Sequence, residues 1–544
     1  MPTLAAPKAS VPATLFYFQS WLKLYLAAVI AYLPFICKFL WGNHDWIWLK
    51  ENTPLFSGVF EGRFSQFILP NLLFGGNILP IFTLLASLAF FTAAAILLFR
   101  LWQVPEKSCP YILLGLYLVS APYTLSWLYF AFITLSCLSW VFVITSAYTL
   151  LNISALKTKK VLYSLAAALL FALALGGYPP VINLIGAIFF TLIINDLCLK
   201  SLTAATILRK HLPNVLSLLG GGCLFFLILC ALKKYGLLNE TYNTAGTSFT
   251  EVPAKLFLCL KASFSQFFTT TSFISAGYKY LGLCIFLLAL CNLWAKLPKR
   301  PSSVLLFIFS VIGLLLSTTL TLFAAGNTVY VLNEPRIEFF GLLYIYVYAA
   351  AILFRSSEGL NRNIILFVIS ALIFANIKTI SCAAKIWTAG FNAEMSMAER
   401  IIGRLEEQPQ FSPAQKYTFI QGGTLDFRSR YASDDTSEKQ DVYTLSAPYI
   451  SWHLPSKAYL FYSPYDFVSN DFDVYWSYID SQSVPLTPGL QQYISRQAYP
   501  WPSSSALYVA PNIIILTLTA DGKARAQNWL NRRTTPYPLS LPQN

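Results

Sequence analysis

Charge is scarce in this chain. Only 11% of its 544 residues are Asp, Glu, Lys or Arg, against 56% hydrophobic residues, and a water-soluble enzyme carries about twice that charged fraction. A single soluble core is therefore excluded. Acids are scarcest in the first 390 residues. From Phe391 onward stand 12 Lys+Arg and 14 Asp+Glu, which leaves 26 basic and 10 acidic residues before it. That excess belongs to the loops between apolar runs, where it reports orientation in a membrane; nothing in it suggests nucleic acid as a partner. No cysteine occurs after Cys382, and the ten present form no CxxC, so structural disulfides and thiolate metal sites are not expected. Buried cysteine behaves as a small hydrophobe. Histidine is limited to three positions.

What is present in abundance is long apolar sequence. Runs of roughly 20 residues are long enough to cross about 30 Å of hydrocarbon. Eleven are expected, at about 22–41, 79–101, 109–126, 129–151, 161–176, 179–199, 213–233, 279–296, 303–324, 338–355 and 362–386. The connections that should share one side hold Lys107, then Lys157, Lys159 and Lys160, then Lys200, Arg209, Lys210 and His211, then Lys296, Lys299 and Arg300, then Arg355 and Arg362. Each is basic, which places them and the N-terminus in the cytoplasm. The first span reads as an uncleaved signal, and an odd count puts the C-terminal region outside. The fold class is an α-helical polytopic membrane protein over 1–386, with a small extracytoplasmic α/β domain over 387–544. In that second region Met397, Ile401, Ile402 and Leu405 predict a helix over 392–407. Lys416–Gly423 reads as a strand, and Leu507–Thr519 as a strand pair or one long strand.

Seven of the ten acids before residue 391 fall on the outer side by this topology: Asp45, Glu51, Glu61, Glu240, Glu251, Glu334 and Glu338. Acids do little to set topology, so their bias points to an outward-facing site. The connection Trp41–Asn77 is the first place to look. Asp45 lies just past the first span among Trp41, Trp46 and Trp48; a carboxylate near lipid tends toward a raised pKa, which suits a general base. His44 beside it either tunes Asp45, binds an acceptor, or is incidental. Pro54–Phe74 predicts an amphipathic helix on the outer leaflet, with Phe56, Phe60, Phe64 and Phe67 on one face. Within a helix Glu61 and Arg63, two apart, do not face each other. Arg63 is then available for an anionic headgroup or phosphate, or merely snorkels. Glu334, Pro335 and Arg336 open a late span whose N-terminus and guanidinium favour an anion; a flanking arginine is the plainer reading. Tyr178, before Pro179 and Pro180, either stacks on a sugar or marks the interface. No cluster requires a metal, although Asp45 and Glu61 have the chemistry to share a divalent cation, and no cofactor is expected.

These elements in this order resemble the glucosyltransferase-II family of polytopic bacterial glycosyltransferases, which modify O-antigen. The family has an acidic pair after the first span, here His44-Asp45, then a DGR-like element, here Glu61-Gly62-Arg63, followed by NLLFGGNILPIFTLL. An N/A-P-aromatic turn corresponds to Ala121-Pro122-Tyr123, a Tyr-x-Pro…Asn element to Tyr178-Pro179-Pro180…Asn183, and a late Pro-Arg to Pro335-Arg336. His44 stands where the family has its first acid, Trp48 near the place of a following arginine, and Ile133-Thr134 near that of a Phe-Asp.

The resemblance covers most of residues 20–386. It implies a GT-C fold in a bacterial cytoplasmic membrane. It also implies a transferase that takes one sugar from a polyprenyl-phosphate donor on the periplasmic face and passes it to a glycan, O-antigen lipopolysaccharide included, or to a protein. Asp45 and Glu61 are then the catalytic residues, Asp45 as base of a single-step inverting displacement. His44, Arg63, Tyr178, Glu334 and Arg336 bind substrate. A lipid flippase or transporter is the rival; it would commonly keep ionisable residues at midplane and paired broken helices, whereas the runs hold almost no ionisable residues and show no such pair.

Overall fold

A computed structural model describes residues 13–37, 52–106, 108–128, 131–154, 160–238, 252–269, 274–321, 335–422, 467–471, 486–496, 500–511, 513–518 and 520–534. The chain divides into two compact units, Met1–Ala384 and Lys385–Asn544.

The first unit is a helical bundle. Eight described helices are long and apolar enough to cross a membrane, and a ninth span is formed if Cys109–Val119 and Pro122–Leu128, bent by 48°, count as one. Leu15–Ala31 and Pro301–Ser317 are apolar but shorter. The bend has a local cause: Pro122 cannot donate into the preceding turn, so the chain breaks at Ala121 and restarts as a 3-10 turn. Three expected boundaries move. The first helix covers Ala13–Ala31, starting upstream of the hydropathy window, because Leu15, Phe16 and Tyr17 extend its apolar run. The seventh run is the C-terminal part of a 31-residue helix, Ala204–Lys234, capped by the Thr203 hydroxyl. Within the stretch read as a long outer loop, Val252–Gln266 is a helix whose buried residues are Cys259, Ala262, Ser263 and Gln266.

The basic connections gather at one end of the bundle. Arg355 Nη1 donates to the Trp102 carbonyl at 3.4 Å, Lys296 Nζ to Ser356 Oγ at 2.9 Å, and Tyr348 OH to Asn195 Oδ1 at 2.8 Å. Packing is close where glycine permits it. A Cβ on Gly177 would lie 2.1 Å from the Trp140 indole, and one on Gly176 would lie 2.2 Å from the Phe64 ring.

Ionisable residues do occur inside the bundle, against the expectation that span interiors hold almost none. Lys279 and Glu338 are both 0% exposed and pair at 2.7 Å. Asp196 is buried near the end of the helix Ile182–Cys198. Each has its counter-charge, as low-dielectric burial requires.

The second unit holds a four-stranded sheet: β1 (Tyr417–Gly422), β2 (Phe467–Asp471), β3 (Leu507–Ala510) and β4 (Ile513–Thr517), in the order β2-β1-β4-β3. β1 pairs in parallel with β2 and β4, and β3 pairs antiparallel with β4. Leu507–Thr519 is thus a hairpin rather than one strand. β4 is buried on both faces, as a central strand covered twice should be. Ile514 and Leu516 pack with Met397, Ile401, Leu405 and Trp501, while Ile513 and Ile515 pack with Leu490, Ile494, Ala526 and Leu530. The helix predicted over 392–407 is no separate element: Gly359–Glu406 is one continuous helix of 48 residues, because no Pro or Gly pair interrupts it at residue 387.

Tyr493 gives this unit a pH-dependent element. Its hydroxyl donates to the Ala506 carbonyl at 3.0 Å, and burial pushes its phenol up to about 12 while a bond with Thr517 pulls the other way. The folded state therefore holds its proton beyond the pH at which the unfolded phenol, near 10, releases it. Its contribution is complete below about pH 10 and is lost as pH rises toward 12. Amide exchange across β3 and β4 should accelerate in that window, and the acceleration should be smaller in Tyr493→Phe.

Candidate active site

The segment after residue 51 is held by its own backbone. The Thr53 N–H donates to the Gly76 carbonyl at 2.9 Å, and Asn71 Nδ2 donates to the Thr53 carbonyl at 3.1 Å. Gly76 has φ +78°, and a Cβ there would sit 2.4 Å from the Thr53 oxygen, so only glycine closes this loop. Pro54–Phe74 is not one amphipathic helix. It is a run of turns, a 3-10 turn over Val59–Glu61, and a short helix, Ile68–Phe74. The four phenylalanines do not share a face: Phe56 and Phe60 are exposed and Phe67 is buried. The polar residues turn inward instead. Ser65 N–H donates to the Gly176 carbonyl at 3.0 Å, Ser65 Oγ to the Leu173 carbonyl at 2.5 Å, and Ser136 Oγ to the Gln66 carbonyl.

That turn changes the relation of Glu61 to Arg63. Gly62 takes φ +75° and ends the 3-10 turn, and the Arg63 N–H folds back onto the Gly58 carbonyl at 2.9 Å. The two side chains then meet, with Arg63 Nη1 to Glu61 Oε2 at 2.9 Å. The helical spacing that would separate them does not apply, and Arg63 is paired rather than unneutralised.

Arg63 also lies over an aromatic ring. Its Cζ is 5.4 Å from the centroid of Tyr178. Tyr178 is extended, with φ −159°, because Pro179 follows it and disfavours helix at the preceding residue. Trp127 meets its ring edge-on at 5.2 Å and Phe340 lies at 5.9 Å, leaving Tyr178 6% exposed. A ring so enclosed has little face to offer a sugar and serves instead as the platform under Arg63. Arg336 stands on the helix Pro335–Phe340, whose Phe339 and Phe340 also pack edge-on against Trp127 at 5.7 and 5.4 Å. Burial pushes the Tyr178 phenol above its ordinary value, and the positive fields of Arg336 and Arg63 oppose that rise.

Four motifs separated by up to about 270 positions in sequence thus converge on one ring: Glu61-Gly62-Arg63, the Ala121-Pro122-Tyr123 turn that carries Trp127, Tyr178-Pro179-Pro180, and Pro335-Arg336. Asn183 has a separate task. Its amide bonds the Thr318 carbonyl at 2.8 Å and accepts from the Thr321 N–H at 2.9 Å, closing the end of the neighbouring helix. His44, Asp45 and Glu334 lie outside the described residues. Among the described residues no group of three or more His, Cys, Asp or Glu converges to hold a metal ion.

Sequence reasoning missed Trp127, the inward docking of Ser65 and Gln66, and the Lys279–Glu338 pair. The last had a signal: an acid within an apolar run requires a buried cation. Glu338 follows Arg336 by two residues on the same short helix, so the pair anchors the side of that helix turned away from Arg336.

A family model described as Glucosyl transferase GtrII matches residues 52–354. No curated protein and no solved structure matches the chain. The matched stretch contains Glu61, Arg63, Tyr178, Glu334 and Arg336 and begins after Asp45.

Proposed function

The chain belongs to the glucosyl transferase GtrII family and carries helices long and apolar enough to cross a membrane, and on that premise we propose that it moves a single sugar from a polyprenyl-phosphate donor to an acceptor glycan or protein at the outer face of the membrane. The observation that carries this reading is the placement of Arg63 and Arg336 about Tyr178 at one end of the spans. A lipid-linked donor presents its phosphate at that level, and the phosphate is the leaving group. Guanidiniums fixed before the reaction stabilise the charge that develops on it. Glu61, bonded to Arg63, positions that guanidinium. Asp45, which precedes this segment in the sequence, takes the proton of the acceptor hydroxyl. Displacement in one step inverts the anomeric centre.

The test is a transfer assay on the full chain in detergent. It supplies a synthetic polyprenyl-phosphate sugar, the corresponding diphosphate-linked sugar and a nucleotide sugar in parallel. Release of polyprenyl phosphate from the first donor alone, with inverted product, is the expected result. Turnover only with the nucleotide sugar would overturn the donor class. In the same assay a folded Asp45→Asn variant should lose about a hundredfold in rate. Unchanged activity would move the base to Glu61 or Glu334.

A further inference from the structure

The far end of the bundle carries a second polar site. The helix Ile182–Cys198 begins beside Tyr178 and has Asp196 near its end, roughly 25 Å away at about 1.5 Å per residue. Asp196 is buried, its side chain 3% exposed, and takes three donors: Lys200 Nζ at 2.8 Å on Oδ1, with Lys210 Nζ and, at 2.8 Å, His211 Nε2 on Oδ2. Asn214 Nδ2 meets His211 Nδ1 at 2.9 Å.

These side chains line a cavity of about 20 Å³ together with Asn195, enough for one small polar group. Gln103 and Asn152, which also line it, carry amides that donate and accept, but its charged groups have only donors to spare. The carboxylate is already engaged three times, whereas each partly exposed ammonium spends one of its three N–H groups on it. Asn195 is buried with its Oδ1 taken by Tyr348, and its Nδ2 has no partner. Two lysines against one aspartate leave a net charge of +1. Spare donors and residual positive charge suit an anion.

Beside the cavity runs a greasy stripe. Leu208, Leu212, Leu216 and Leu219 of the helix Ala204–Lys234 are exposed, and at three- and four-residue spacing they share a face. The flank of the same helix buries His211, one turn from Leu208, together with Asn214 and Ser217. In a membrane protein such a stripe lies against acyl chains. We propose that this cavity seats the phosphate of an anionic phospholipid headgroup, with Lys200, Lys210 and the Asn195 amide as donors and an acyl chain along the leucines. Basic pockets between helix ends hold lipid headgroups in this way.

The experiment is native mass spectrometry of the full chain in detergent, titrated with phosphatidylglycerol, with phosphatidylcholine or with inorganic phosphate. Wild type is compared with Asn195→Asp, which leaves the partners of Asp196 in place and adds a repelling charge, and with Lys200→Gln/Lys210→Gln. Wild type should hold one phosphatidylglycerol at least tenfold more tightly than phosphatidylcholine, and both variants should lose that preference. Should the double variant fail to fold, Asn195→Asp decides alone. Equal retention in wild type and Asn195→Asp overturns the site. Binding of inorganic phosphate without any preference for phosphatidylglycerol overturns the lipid as its source. Transfer activity of Asn195→Asp in detergent should equal that of wild type, since the site is remote from Tyr178.

Discussion

Replacing Arg63 and Arg336 together by methionine is expected to lower kcat/KM for the lipid-linked donor by at least about a thousandfold, with the fold intact. A preorganised donor aimed at developing charge contributes about 10²–10³ in rate when removed singly. Both guanidiniums act on one phosphate, so their losses should combine less than multiplicatively. Methionine keeps most of the apolar stem and cannot donate. The two single variants should differ. Arg336→Met removes a cation from the helix Pro335–Phe340. Arg63→Met also releases Glu61 from its 2.9 Å pair and uncovers Tyr178. A carboxylate left beside the donor phosphate repels it, so Arg63→Met should raise KM more than Arg336→Met does. Adding Glu61→Gln to Arg63→Met should recover part of that KM. Steady-state kinetics with a synthetic donor reads all of these, and full activity in the double variant would remove the phosphate role from both arginines.

The second large effect concerns stability. Lys279→Met is expected to destabilise the first unit by about 3–5 kcal/mol, because it strands the fully buried Glu338 in a low-dielectric interior. Glu338→Leu should cost a similar amount by stranding Lys279, whose side chain is equally enclosed. The double variant Lys279→Met/Glu338→Leu should recover most of that loss, since an apolar pair of similar volume bears no desolvation penalty. Denaturant titration in mixed micelles measures the midpoints. The double variant has a further consequence. Glu338 shares its short helix with Arg336, so loss of the pair frees that helix to turn about its axis. The double variant should then be stable yet slower, with the deficit in kcat. Single variants as stable as wild type would show that water reaches the pair.

Much of this protein was legible before folding was considered. Hydrophobic run length is a local property, and lipid demands that each run satisfy its own backbone, so the spans and the basic connections could be read one by one. The strand at β1 and the strands of the β3–β4 region were legible in short apolar runs in the same way. The motifs also stood out singly, since an acid or arginine is conspicuous where only 11% of residues are charged.

Tertiary structure alone decided what those motifs do to one another. Glu61 and Arg63 were expected to point apart because helical spacing was assumed. A left-handed Gly62 and the docking of Ser65 on Gly176 made the segment a turn, and a turn brings residues two apart together. Tyr178 read as a sugar-stacking or interfacial ring from its place between spans, but Trp127 and Phe340 enclose it from helices distant in sequence. The pairing of Lys279 with Glu338, 59 residues apart, and the gathering of Lys200, Lys210 and Asn195 about one cavity are likewise products of packing. Periodicity reports which side of an element is apolar. Which partner a buried charge meets depends on how separate helices cross, and that is a property of the assembled bundle.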